Sequence, residues 1–283
     1  MTDTHLSEPT FPDSADLPEH IDLVVVDMDG TLLDGDGNLP SGLQDLLEQL
    51  RDNGTSFVPA SGRQLATLRN LFAGLDPTPD TFLAENGAVI ADGDSTIVAD
   101  SMDQAVVDRI IDTVRDSGLD NGLVVCHPDR AYVERSDEAF LKEVGKYYHE
   151  HTVVEDLHGV EGDVVKLAIF DVDDAETSTW PVLREAAKPE LRPALSGAHW
   201  VDVMMPSVDK GKSLRKLAEH RGINMDGVVV FGDYLNDLQM IEAGGLSFAM
   251  ANGHGDIIAA ADYVAPANTE NGVVTTTKRL ISE

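Results

Sequence analysis

The chain has 283 residues and a mass of 30.5 kDa, with 42% hydrophobic and 25% charged residues. Those proportions exclude a disordered or fibrous chain, and at ~150 residues per domain the length predicts about two domains. Fifty-one acidic against 20 basic residues give a formal net charge of −31. A field of that sign repels nucleic acid and anionic membranes, and it leaves any phosphorylated ligand to a local cationic pocket or a metal. No apolar run approaches the ~18 residues that span a bilayer, and Met1-Thr2-Asp3-Thr4-His5 carries no signal-peptide pattern. A single cysteine, Cys126, excludes an intramolecular disulfide. The expectation is a soluble, cytoplasmic protein, its acidity suited either to a salty cytosol or to a generally acidic proteome.

Residues 1–18 are polar and without periodicity, and read as a disordered or extended tail. Ile21-Asp22-Leu23-Val24-Val25-Val26 predicts a strand buried on both faces, broken at Asp27-Met28-Asp29-Gly30-Thr31. Leu43, Leu46, Leu47 and Leu50 recur at helical spacing. Residues 56–60 predict a second strand, Ser61-Gly62-Arg63 follows, and Leu65, Leu68 and Phe72 mark a helix. Residues 81–84 predict a third strand, and Asn86-Gly87 and Asp92-Gly93 predict a hairpin around Ala88-Val89-Ile90.

This alternation predicts a parallel α/β sheet. The middle of the chain differs. Helices are predicted from Val106, Ile110, Ile111 and Val114, from Phe140, Val144 and Tyr147, and near 177–187. Strands are predicted in 122–133, 164–172 and 200–205. From Lys210 the α/β rhythm returns, with a helix on Leu214, Leu217 and Ala218 and a buried strand, 228–231, ending at Gly232-Asp233. A helix with Leu238 and Ile241, a strand at 246–249, a helical piece at 257–261 and Tyr263-Val264 complete it. The predicted organisation is an α/β core of residues 19–100 and 207–283, interrupted by an α+β block of residues 101–206.

Asp27 and Asp29 sit where ligands bind in open parallel sheets, at the C-terminal end of a strand. Their spacing of two predicts carboxylates leaving on one side, and two such charges call for a cation. Mg²⁺ suits one or two carboxylates plus a substrate phosphate. Taken alone, Asp-x-Asp-Gly is a common turn; its place after a buried strand favours chemistry. Asp233 ends the later strand in the same way, and Asp237 is predicted to open the next helix. Ser61 is predicted to open a helix whose N-terminal amides suit a phosphate oxygen, although a plain N-cap is the commoner fate. Lys210 opens a helix against its dipole, which hints at a phosphate-directed cation. Asp209-Lys210-Gly211-Lys212-Ser213 is not a P-loop, because Pro206 holds the required upstream glycine position.

The segments Asp27-Met28-Asp29-Gly30-Thr31-Leu32, Ser61-Gly62-Arg63, Lys210-Gly211 and Gly232-Asp233 through Asn236-Asp237, in this order, resemble the four motifs of the haloacid dehalogenase superfamily of phosphohydrolases. The likeness covers nearly the whole chain beyond the tail. The long insertion, with Glu85-Asn86-Gly87-Ala88, resembles the Cof-type branch with a C2-class cap. The resemblance implies a Rossmann-like parallel-sheet core with an inserted α+β cap that sets substrate specificity. It implies Asp27 as the nucleophile that forms an aspartyl-phosphate, and Asp29 as the acid that protonates the leaving oxygen and then activates water. It implies Mg²⁺ held by the Asp27 carboxylate, the Asp29 main-chain carbonyl and the Asp233 carboxylate. Ser61, Gly62, Lys210 and Asn236 match positions that hold phosphoryl oxygens, Asp237 one that orients the lysine or metal waters, and Thr31 a supporting position.

The implied activity is Mg²⁺-dependent hydrolysis of small phosphorylated metabolites, sugar phosphates or phosphorylated cofactors, by a monomer or homodimer. A phosphomutase of the phosphomannomutase type and a non-catalytic phospho-ligand sensor are the alternatives. The chain departs from the family in Tyr234-Leu235, where a glycine and a small or polar residue are usual, and in Ala251-Asn252-Gly253-His254. Tyr234 is expected to narrow the entrance to the site. The expected cap contacts to substrate are His127, Arg130 and His199.

Overall fold

The computed structural model describes residues 7–98, 100–187 and 189–282. Strand β1 (Leu23–Asp27) is buried at every position. Fully burying a valine stabilises by roughly 1.5–3 kcal/mol over leaving it exposed, so a run of three commits this segment to a sheet interior. Helix α1 (Leu43–Asp52) follows, with Leu43, Leu46, Leu47 and Leu50 buried on one stripe. The chain continues through β2 (Ser56–Ala60), α2 (Leu65–Phe72) and β3 (Thr81–Ala84). It then turns back through β4 (Val89–Asp92) and β5 (Ser95–Val98), both antiparallel.

Helix α3 (Gln104–Asp116) leads into β6 (Asn121–Cys126), β7 (Ala131–Val133), α4 (Glu138–Tyr147) and β8 (His151–Val153). Strand β9 (Lys166–Asp171), α5 (Thr179–Ala186), β10 (Arg192–Leu195) and β11 (Trp200–Met204) complete this stretch. The remainder is α6 (Lys210–Arg221), β12 (Val228–Gly232), α7 (Leu238–Ile241), β13 (Leu246–Met250), α8 (Gly255–Ala260), β14 (Tyr263–Ala265) and α9 (Gly272–Leu280).

Two sheets result. The first has the order β14-β13-β12-β1-β2-β3-β4-β5, parallel from β14 to β3. Val24 and Val26 face α1, α2 and α9, whereas Leu23 and Val25 face α6, α7 and α8, so both faces are covered. The second has the order β10-β11-β9-β6-β7-β8, antiparallel except for β7 with β8. The sheets meet above the C-terminal ends of β1 and β2. Cys126, Ala168 and Trp200 of the second join the apolar cluster of the first. Gln64 donates its amide to Tyr147 O (3.1 Å), and its side chain pairs both ways with the backbone of Glu150.

Four features differ from the sequence reading. Strands β8 and β10 are half-exposed edge pieces with no clean alternation. Helix α9 is rich in Val and Thr, which favour strands, and forms because Val273, Val274 and Leu280 dock on the core. The hairpin around 88–90 extends into a three-stranded antiparallel edge. Ahead of β1, Ser7 and Thr10 bond to Ala251 O and Val264 O, and Phe11 sits against Phe248 and the Arg279 guanidinium. Residues 1–6, part of the expected tail, lie outside the described residues.

Candidate active site

Lys210 begins α6 and is fully buried. Its Nζ donates to Asp27 Oδ1 and, at 2.6 Å, to Asp237 Oδ1. Burial alone would depress this lysine, but the Asp237 and Asp27 carboxylates outweigh it and hold Lys210 above the ordinary lysine range. Asp237 Oδ2 accepts the amides of Asp233 (3.1 Å) and Tyr234 (3.2 Å), which fixes the loop after β12. Gly211 and Gly232 make this packing possible. A Cβ on Gly211 would lie 2.1 Å from Gln239 O, and one on Gly232 2.7 Å from Asp237 Cβ.

Asp233 Oδ1 accepts from Thr31 Oγ1 at 2.9 Å. Gly30 has φ +86°, and a Cβ there would meet Asp233 Oδ2 at 2.3 Å, so the turn after β1 lies directly on this carboxylate. Asn252 Nδ2 donates to Gly30 O (2.8 Å), and His254 N to Asp233 O (2.7 Å). The segment 251–254, an unusual stretch by its sequence, thus ties the two acidic turns together.

Oxygens of Asp27, Asp233 and Asp237 lie within 4.8 Å of one another. Burial, then the Asp237 and Asp233 charges, push Asp27 well above the usual carboxylate range against the pull of Lys210. Burial and Asp237 push Asp233 up to about 7, against Thr31 and Lys210. Asp27 Oδ2 and Asp233 Oδ2 have no protein hydrogen-bond donor among the described residues. Two hard oxygens left open in one acidic cluster, their carboxylates raised by burial and by the neighbouring Asp237 charge, are a donor set that fits a divalent cation such as Mg²⁺. Asp237, committed to Lys210 and two amides, is the least available of the three.

The Asp29 side chain goes elsewhere. The strand ends at Asp27, so the period of two does not continue through the Gly30 turn. Asp29 instead pairs with Arg63, through Nε to Oδ2 (2.9 Å) and Nη2 to Oδ1 (2.5 Å). Ser61 also corrects an expectation. It follows β2 directly but does not open a helix, because α2 starts after Gln64; Ser61 Oγ accepts the Arg63 amide at 3.1 Å. Gly62 accepts Lys166 Nζ on its carbonyl (2.6 Å). Asn236 donates to Asn86 Oδ1 (3.1 Å), and Asn86 in turn donates to Asp202.

These groups line a cavity of about 230 Å³ between the two sheets. Asp27, Asp29, Ser61, Gly62, Arg63, Asp233, Tyr234 and Asn236 line one side; Tyr147, Tyr148, Lys166, Ser196, Trp200 and Asp202 line the other. His127, Arg130 and His199, expected there, are not among the lining residues. His127 packs on Tyr132, Arg130 donates to Thr152, and His199 contacts Asp171 O. Lys166 is the residue most visible in retrospect: it is a lone charge in the apolar run Val164-Val165-Lys166-Leu167-Ala168. It is buried against Glu85 at 2.6 Å, with Asp202 at 3.7 Å. Burial raises Glu85 above its usual range despite Lys166. Tyr234 packs edge-on against His254 at the cavity wall.

A family profile described as haloacid dehalogenase-like hydrolase matches residues 24–276. A 5-amino-6-(5-phospho-D-ribitylamino)uracil phosphatase of Escherichia coli, YbjI, is 30% identical over 260 residues, 90% of this chain and 94% of its own. YcsE of Bacillus subtilis, of the same description, is 26% identical over 254 residues, 89% of this chain and 93% of its own. A crystal structure from Streptococcus mutans superposes with a TM-score of 0.83 at 24% identity, covering 93% of this chain and all of that one, and supports the fold. The chain belongs to the haloacid dehalogenase-like hydrolases and is a phosphatase of their Cof-type branch. No described helix is long and apolar enough to cross a membrane.

Proposed function

We propose that the protein is a Mg²⁺-dependent phosphatase that hydrolyses small phosphorylated metabolites, sugar phosphates or phosphorylated cofactors, through an aspartyl-phosphate on Asp27. The observation that carries this is the Asp27 carboxylate, which lines the cavity with one oxygen held by Lys210 and the other without a donor among the described residues. The descriptions of the Escherichia coli and Bacillus subtilis relatives support a phosphorylated metabolite with a ribityl chain as one member of the substrate class. Cytoplasmic location, a monomer or homodimer, the core of 19–100 and 207–283 and the specificity-setting cap of 101–206 belong to the same proposal.

Asp27 Oδ2 attacks phosphorus, and the bond from phosphorus to the leaving oxygen breaks. Asp29 gives its proton to that oxygen, which requires Arg63 to loosen its grip on the carboxylate. Water then attacks the phosphorus of the aspartyl-phosphate and loses its proton to Asp29, so phosphate departs and Asp27 is restored. Splitting hydrolysis in this way replaces one hard step by two. Lys210, Ser61, Gly62 and Asn236 hold the phosphoryl oxygens, and fixed positive charge at those oxygens is most of what phosphoryl transfer asks of a protein. The carboxylates of Asp27 and Asp233 and the main-chain carbonyl of Asp29 would hold Mg²⁺, which neutralises the carboxylates and polarises a phosphoryl oxygen. Asp237 keeps Lys210 aimed at Asp27, and Thr31 keeps Asp233 in place.

The test is release of inorganic phosphate from p-nitrophenyl phosphate. Hydrolysis that stops with EDTA and resumes with Mg²⁺ is the expected result. Hydrolysis that survives chelation contradicts the metal requirement.

A further inference from the structure

Resting on the phosphatase reading above, we infer that the cavity selects esters whose leaving group is uncharged and hydroxyl-bearing, with Asp202 as the residue that recognises it. Asp202 lies on β11, is 3% exposed and lines the cavity. Its Oδ2 takes three contacts: Asn86 Nδ2, Ser196 Oγ at 2.7 Å, and Lys166 Nζ at 3.7 Å. Its Oδ1 has no donor among the described residues. A carboxylate oxygen without a protein donor, on an otherwise buried residue and open to a cavity, offers the ligand an acceptor for an O–H or N–H.

The charges of the cavity point the same way. Its lining holds four carboxylates, Asp27, Asp29, Asp202 and Asp233, and among the described residues two cations, Arg63 and Lys166. Both cations are paired within the protein. Arg63 spans the Asp29 carboxylate and reaches Lys146 O at 3.2 Å. Lys166 is taken by Glu85 and Gly62 O. A second phosphate or a carboxylate on the leaving group would therefore meet Asp202 where the neighbouring cation, Lys166, is already taken by Glu85 and Gly62 O, and like charge across a desolvated contact is strongly disfavoured. Trp200 and Tyr147, ring centroids 5.5 Å apart, supply an aromatic wall for the apolar face of a sugar, polyol or heterocycle. Ser196 gives its hydroxyl proton to Asp202 and keeps lone pairs for a ligand hydroxyl.

The experiment compares kcat/KM for four esters with Mg²⁺: ribitol 5-phosphate, p-nitrophenyl phosphate, 3-phosphoglycerate and fructose 1,6-bisphosphate. The wild type is expected to favour ribitol 5-phosphate over both doubly anionic esters by about tenfold or more. In Asp202→Asn, the ratio of ribitol 5-phosphate to p-nitrophenyl phosphate is expected to fall about tenfold, as a charge-assisted hydrogen bond becomes a neutral one, and the handicap of 3-phosphoglycerate is expected to shrink. Equal wild-type efficiency on ribitol 5-phosphate and 3-phosphoglycerate would overturn the inference without any variant. So would an Asp202→Asn enzyme that loses both ribitol 5-phosphate and p-nitrophenyl phosphate in the same proportion. Failure of the wild type on all four esters overturns the phosphatase reading itself, and the inference with it.

Discussion

The guanidinium of Arg63 grips the carboxylate of Asp29 with two nitrogens, while its third reaches the carbonyl of Lys146 beyond the cavity. Its plane also lies over the Tyr147 ring, 5.2 Å from the centroid. One side chain thus joins the turn after β1 to the end of α4. Arg63→Ala is expected to lower kcat/KM on p-nitrophenyl phosphate about tenfold or more, because both Asp29 and the facing layer lose their alignment. Arg63→Lys does not restore it, since an ammonium cannot make the bidentate pair. Steady-state kinetics of the two variants decide this, and full activity in Arg63→Lys would contradict it.

Lys210 and Lys212 stand two residues apart and differ in kind. Lys210 is enclosed between Asp27 and Asp237, whereas the Lys212 side chain is 57% exposed beside Asp209. Lys210→Ala leaves two buried carboxylates without their cation and is expected to cost about 3–5 kcal/mol and all measurable turnover. Lys212→Ala is expected to stay within about 0.5 kcal/mol and to keep its activity. Urea denaturation beside a phosphatase assay checks both, and equal effects would misplace the third motif.

Metal-free protein is expected to lose stability as pH rises from about 4 to about 7. Asp233, raised from an ordinary 3.8 to about 7 in the fold, is held protonated there more readily than in the unfolded chain. Its contribution is therefore fully present below the unfolded value and is lost as pH climbs through the folded one. Mg²⁺ favours the ionised carboxylates and is expected to reverse the trend near neutrality. Unfolding midpoints across this range, with and without Mg²⁺, test it. Asp233→Asn is expected to flatten the metal-free slope, and an unchanged slope would assign it to other groups.

The net charge of −31 is a stability statement too. Exposed like charges repel across the surface, and salt shortens the reach of that repulsion from about 10 Å at 0.1 M to about 3 Å at 1 M. The thermal midpoint is expected to rise between about 0.1 M and 1 M KCl. A midpoint that falls would mean that attractive pairs such as Arg115 with Glu134 and Asp156 dominate the surface.

Much of the first sheet could be read from the sequence because buried parallel strands leave continuous apolar runs, and the chemistry stands at the glycine turns that end them. Asp27, Asp233 and Asp237 stand at such turns, Lys210 at the start of α6, and the fold brings them together from opposite ends of the chain. The facing wall was not legible. Asp202 and Lys166 lie in strands whose inward direction depends on how the second sheet docks, and their partners Asn86 and Glu85 are remote in the chain. His127, Arg130 and His199 were plausible only as polar residues in the expected cap. Ser61 misled because a serine after a strand resembles an N-cap, whereas here the hydroxyl serves a turn and the helix begins after Gln64. Helix α9 was hidden by its own Val and Thr residues, whose local preference is overruled by packing.

The most direct measurement of the central claim is an acid quench during turnover of p-nitrophenyl phosphate, followed by peptide mass spectrometry. Covalent phosphate on the peptide containing Asp27, absent when the same experiment is run on Asp27→Asn, is the predicted result. Steady turnover by Asp27→Asn at the wild-type rate would contradict it.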